Sequence, residues 1–307
     1  MRALFESHNL IGDALCISAA LRAWHRSHPE YEIDMLTDNN AVAELYRGMG
    51  VPLKVVFGRM DEVKVAYIGL PKVPVTIEYD FEFNFNVNKA FEICNQKKCH
   101  LAQGYADLLG VKLGDSAADL GPFYDPPYNE EDNEWVSRVP QDAILIAPFS
   151  RSCSSHDGKP PNKCLPWVKW KPILRFLRTL NKPIRVTGSA DERADELGFS
   201  EEEYLTGMPL RALARAMKEH RIYLAVTVDN GLSHLAGSQK VPQILYYPMC
   251  LGLHYACPWS NPFVMPIHVD PAVAEPAQIV WSTKQAFTML EEMRVPGSAW
   301  TALDNEK

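Results

Sequence analysis

An apolar run that stops at an acidic-glycine turn and restarts as a helix, Val226-Thr-Val-Asp229-Asn230-Gly231-Leu-Ser233-His234-Leu-Ala236, constrains this 307-residue chain more than any other stretch. It predicts a strand, a tight turn and a helix start in succession. The first N–H groups of such a helix lack intrahelical partners and carry the positive end of the dipole, so the turn is a natural seat for phosphate. Ser233 and His234 fall in the helix's first turn, where they can donate to phosphate oxygens; the same pair serves equally as a cap and a core histidine. A second turn of this kind sits near the N-terminus. Arg2-Ala-Leu-Phe5 predicts a strand, and Ile11-Gly12-Asp13-Ala14 opens an apolar-periodic helix through Trp24. Ligands of open α/β sheets bind at the carboxyl ends of strands, so two such halves facing each other would enclose a cleft.

Strand and helix patterns alternate along most of the chain, which predicts an α/β protein with parallel sheets. Glu32 to Leu36 and Lys54 to Phe57 read as strands around a helix from Asn39 to Met49, and Ile77 to Asn88 alternates apolar with polar residues as a half-buried strand does. Packing of its Phe stripe in the core is the favoured reading, with a loop toward an acceptor beyond it. A helix follows from Leu101 to Leu109, and turn formers with acidic residues from Gly121 onward read as a surface connector. The second half predicts strands at Ala143 to Ala147, Ile184 to Thr187, Tyr223 to Val228 and Gln243 to Tyr247, with helices at Trp167 to Leu180, Leu210 to Lys218 and Pro276 to Met293. Three parts result: a first domain over 1–135, a second over 136–275, and a helix and tail over 276–307 expected to cross back to the first domain.

With 47% hydrophobic residues the chain can bury two ordinary cores, and its net charge of -7 gives no general attraction to nucleic acid or anionic membrane. No signal segment and no bilayer-length apolar run are visible, so a cytoplasmic protein without integral membrane contact is expected. Seven scattered cysteines suit reduced thiols better than a disulfide framework. Neither Cys94 with Cys99 and His100, nor Cys153 with His156 and Cys164, carries paired CxxC spacing, so no metal is expected.

Among candidate chemical groups, Asp13 stands on a turn where Gly12 allows close approach, and the helix dipole would keep it ionised as a general base requires. An acid in a first helical turn also stabilises many ordinary helices. Arg151 and Lys163, on the long polar loop from Ser150 to Pro166, would neutralise a diphosphate. Thr187-Gly188-Ser189-Ala190-Asp191-Glu192 follows a strand, placing Glu192 where it would accept hydrogen bonds from ribose or open the next helix. No GxGxxG after a strand, no GxxxxGK[ST] and no GxSxG occurs, which weakens the dinucleotide, P-loop and α/β-hydrolase readings.

Taken in order, Leu10-Ile-Gly12-Asp13, Lys163-Cys-Leu-Pro166 before a Trp-containing helix, Thr187 to Glu192, Gly207-Met208-Pro-Leu210 and Val228 to Ala236 resemble the heptosyltransferase-like glycosyltransferases, family nine of the GT-B fold. The resemblance implies two Rossmann-like domains with parallel sheets facing across a cleft. It further implies an inverting, metal-independent transfer from a nucleotide-diphosphate sugar, with no cofactor and Asp13 as the base. Ser150, Arg151 and Lys163 would line the diphosphate and nucleotide, Glu192 the ribose and Met208 the base, with Gly12, Thr187 and Gly188 also binding the donor. Asp229, Asn230, Gly231, Ser233 and His234 would hold the sugar and diphosphate. This sequence departs from the family near Ala19 and Ala20, where the family has Pro in the first helix, at Leu165, where it has Trp, and at Asn230, where it has Thr or Ser. The acceptor stays open between a glycan, a lipid-linked sugar and a modified nucleobase. Rival readings are a transferase acting on a hydroxylated DNA base, a nucleotide-sugar epimerase or hydrolase, and a non-catalytic nucleotide-sugar-binding protein.

Overall fold

The computed structural model describes residues 1–57, 65–68, 73–76, 78–114, 121–150, 163–248, 258, 261–270 and 273–294. The chain forms two compact units, Met1–Asn129 and Glu130–Lys307. In the first, β1 (Arg2–Glu6), α1 (Ile11–Ser27), β2 (Glu32–Thr37), α2 (Asn40–Arg47) and β3 (Leu53–Phe57) alternate. An antiparallel pair, β4 (Val65–Ile68) with β5 (Val73–Thr76), precedes β6 (Phe81–Asn84), α3 (Val87–Lys97) and α4 (Leu101–Leu109). The sheet runs β3-β2-β1-β6, parallel throughout, with Phe5 opposite both Met35 and Phe83. Small residues on α1, among them Ala14, Ala19 and Ala20, are buried, which lets the helix approach the sheet closely.

The Phe alternation lies partly where it was expected. Phe5 packs against Phe81, Phe83 and Phe85, so the stripe does serve the core. The strand, however, covers only Phe81–Asn84, and Ile77 lies outside the described residues. Instead of an acceptor loop, the chain enters α3, because Asn86 Oδ1 accepts the Lys89 N–H at 3.1 Å and caps it. The connector is partly internal too. Asp125 N–H donates to Gly48 O at 2.8 Å, and a Cβ on Gly48 would lie 2.4 Å from the Tyr124 ring.

The second unit comprises α5 (Asp132–Ser137), β7 (Ala143–Ala147), α6 (Trp167–Arg178), β8 (Ile184–Val186), α7 (Leu210–Lys218), β9 (Ile222–Val228), α8 (Gly231–Ser238), β10 (Gln243–Pro248), β11 (Val264–Val269) and α9 (Pro276–Met293). Its sheet runs β11-β10-β9-β7-β8, again all parallel. The sequence reading missed β11, α3 and α5. Pro266 sits in β11, which is tolerable because that strand is an edge. Trp170 of α6 and Tyr246 of β10 are fully buried edge to face, and the Tyr246 hydroxyl pairs with Thr283 of α9 at 2.7 Å. α9 packs on α6, β10 and β11 of its own unit. Among the described residues no helix is long and apolar enough to cross a membrane.

Candidate nucleotide-sugar site

The second unit begins at β7 and steps to β8 on one side, then returns to β9 on the other. The neighbouring carboxyl ends of β7 and β9 are therefore the topological switch point, where a parallel sheet leaves a crevice. Asp229, Asn230 and Gly231 lie at that end, between β9 and the first turn of α8. Asn230 stitches the crevice together. Its Nδ2 donates to Ala147 O at 3.3 Å, the last carbonyl of β7, and to Phe149 O at 2.7 Å just beyond it, while its Oδ1 accepts the Ser233 N–H at 2.9 Å.

Ser233, expected to donate to phosphate, has its donors spent at home. Its hydroxyl donates to Asn230 O at 2.7 Å, its N–H is held by the cap, and it is fully buried. Gly231 and Leu232 occupy the two positions ahead of it, whose N–H groups a helix leaves unbonded.

Lys163, just before α6, reaches Asp229 across this end of the sheet, with Nζ 2.7 Å from Oδ2. The Asp229 side chain is almost wholly buried, whereas Lys163 keeps 28% of its side chain exposed, so the ammonium stands at the mouth. His234 is buried behind the pair. Burial pulls its pKa down to about 4, opposed by Asp229 and assisted by Lys163, so the ring is neutral. It acts as a neutral wall and adds no charge.

Thr187, buried, leads from β8 into Gly188. A Cβ there would lie 2.7 Å from the Phe149 ring and 2.6 Å from Glu192 Oε2. Glu192 turns back to accept the Ser189 N–H at 2.6 Å, so part of its carboxylate holds its own loop. Gly207, at φ 78°, donates its N–H to Gly188 O at 2.9 Å and brings the buried Met208 alongside. Ser150 is half-buried after β7, and Arg151 lies outside the described residues. Sequence reasoning missed Phe149, whose carbonyl and ring both help build this end of the sheet. Cys16, Cys94 and Cys99 form no disulfide, but Cys164 is disulfide-bonded, contrary to the reduced set expected. Among the described residues no three His, Cys, Asp or Glu side chains are grouped to hold a metal.

On the first unit, the carboxyl ends of β1 and β6 form the corresponding switch point. Asn9 closes it, donating to Phe85 O at 2.7 Å and to Ser7 Oγ at 3.2 Å. Gly12 and Asp13 follow in the first turn of α1, both half-buried, and Asp13 Oδ2 accepts the Leu10 N–H at 3.4 Å. Asp13 is thus a helix-terminal acid that still reaches solvent. The His8 ring lies between Glu6 at 2.7 Å and Asp38 at 3.1 Å; burial opposes its charge, yet these carboxylates raise its pKa above 6.5.

Two Rossmann-like units, each carrying a parallel sheet, give the chain a GT-B-like fold. Among solved structures it shares that fold with family-nine heptosyltransferases. The E. coli ADP-heptose LPS heptosyltransferase II matches with a TM-score of 0.66 at 14% identity, over 95% of this chain and 100% of that one. A glycosyl transferase of family 9 from Veillonella parvula DSM 2008 matches at 0.65 and 16% identity, over 95% and 97%. E. coli heptosyltransferase WaaC with ADP matches at 0.56 and 17%, over 94% and 100%. No family model and no curated protein matches the sequence.

Proposed function

We propose that the chain is a glycosyltransferase that moves a sugar from a nucleotide-diphosphate sugar to an acceptor hydroxyl with inversion. The observation that carries this is the Lys163–Asp229 pair at the mouth of the α8 N-terminus, on the switch point of the second sheet. A cation beside unbonded helix N–H groups suits a diphosphate and little else of comparable size. On this reading Lys163 and the Gly231 and Leu232 N–H groups take the charge that develops on the departing diphosphate. Asp229 accepts from sugar hydroxyls, while Glu192, Gly188 and Met208 border the nucleoside.

Asp13 is the base in this scheme. It removes the proton of the acceptor hydroxyl, the freed oxygen attacks the anomeric carbon, and the bond from that carbon to the diphosphate oxygen breaks. The solved neighbours include WaaC with ADP and with ADP-2-deoxy-2-fluoro heptose, and the heptosyltransferase TibC with ADP-D-beta-D-heptose, so ADP-linked sugars are the first donors to try.

The test is a panel of ADP-, UDP- and GDP-sugars with glycan and lipid-linked acceptors, reading nucleoside diphosphate release. One donor should turn over with acceptor present, and Asp13→Ala should lose about 10²–10⁴-fold in rate. Full activity in Asp13→Ala would remove the base, and release by no donor would remove the reaction.

A further inference from the structure

Two phenols are buried beneath the turn that carries Asp13. Tyr46 projects from α2 and Tyr105 from α4, both helices pack on α1, and both side chains are fully buried. Among the described residues the Tyr105 phenol oxygen has no hydrogen-bond partner, and that of Tyr46 has none beyond the neighbouring Ser7 hydroxyl. Native interiors almost always satisfy such groups, with ordered water where the chain does not. Tyr46 also lies against the Ser7 hydroxyl, which already accepts from Asn9 in the turn leading to α1.

We propose that Tyr46 and Tyr105 are positioning residues for Asp13, donating to a buried water that in turn donates to its carboxylate. Three observations converge on this. The two hydroxyls come from different helices and meet near one turn. The groups around them are Asp13 and Cys16 on α1, Cys94 on α3 and the two phenols themselves, so Asp13 is the one ordinary anion in the cluster. Its charge is felt by both rings, adding to the burial that pushes each phenol well above 10 and keeps it a donor. A water with two phenol neighbours and a carboxylate to face has the partners that immobilise it. Such a bond favours the charged carboxylate and fixes the direction in which it points.

The proposal rests on Asp13 being the base, but its test reads the carboxyl group directly. The intact protein, labelled with ¹³C at aspartate Cγ, is titrated by NMR, with the Asp13 resonance assigned by its loss in Asp13→Asn. Tyr46→Phe and Tyr105→Phe should each raise the Asp13 midpoint by roughly half a unit to one unit, as expected for losing a donor to the charged form. Tyr246→Phe, which removes a buried phenol from the second unit, should leave it where it was. In a transfer assay the acid limb of the kcat profile should move with the midpoint while KM for the donor holds. An Asp13 midpoint unmoved in both variants, with thermal melting intact, would overturn the proposal even if transfer is observed. A shifted midpoint would sustain the link to Asp13 even if no acceptor is found.

Discussion

Lys163 and Asp229 form an ion pair that, on the proposed reading, a bound diphosphate would rearrange. Lys163→Ala leaves a nearly buried carboxylate without its cation, a loss worth up to about 3–5 kcal/mol when both partners are buried and less here, because Lys163 is partly hydrated. Its larger effect should fall on nucleotide binding. His234 gives a pH signature with a definite sign. Its folded pKa of about 4 lies below the unfolded 6.5, so its contribution is whole above pH 6.5 and is lost as pH falls toward 4. The unfolded chain binds a proton there that the folded one refuses. The loss is bounded at roughly 3 kcal/mol. Denaturant unfolding between pH 7 and 4 should show the decline, and His234→Gln should flatten that part of it; an equal slope in the variant would assign the titration elsewhere. Gly188→Ala should destabilise the unit by about 1–3 kcal/mol, since its Cβ meets both the Phe149 ring and the Glu192 carboxylate. A melting temperature equal to that of the parent would show that this loop yields freely.

Among elements, α8 depends on its cap more than most helices do. Asn39 caps α2 with local bonds to Ala41 and Val42, so Asn39→Ala should cost about 1 kcal/mol. Asn230→Ala should cost more, roughly 2–4 kcal/mol, because two bonds to carbonyls at the end of β7 and just past it go with the cap. Urea unfolding of the two variants side by side measures the difference; equal losses would mean that the β7 stitch contributes nothing. The same contrast explains what the sequence could reveal. The turn from Val228 to Ala236 was legible because its signals are local: apolar strand, Asp-Asn-Gly, helix. The β7 strand was legible as an unbroken apolar run. The Lys163–Asp229 pair and the amide of Asn230 were not, since each joins residues far apart in the chain. Ser233 kept two readings for a related reason, its hydroxyl being bonded within the very turn that marked it. The α3 helix had a local signal in Asn86 followed by Ala90 and Cys94, but the Phe alternation ahead of it invited a strand extended too far.

For the whole molecule, the division between Asn129 and Glu130 falls just ahead of α5, within the connector that the sequence marks from Gly121 onward. Arg211 of α7 makes two hydrogen bonds to the buried Asp132 carboxylate, at 2.5 and 2.9 Å, and so claims α5 for the second unit. Removing Asp132 would take both of these bonds from a part-buried guanidinium. A fragment covering 130–307 should therefore unfold cooperatively, and one starting at 136 should be less stable by about 2–4 kcal/mol or fail to fold. Identical denaturation midpoints would return the boundary to 135. The reading of the second sheet's switch point as a diphosphate cradle can be tested on the intact chain without knowing the acceptor. Calorimetric titration with ADP, UDP and GDP should find at least one that binds in the micromolar range or tighter, and Lys163→Ala should weaken it at least about tenfold, the scale of one charge-assisted contact. If no nucleoside diphosphate binds, or if Lys163→Ala binds as the parent does, the cradle is not where the nucleotide sugar is held.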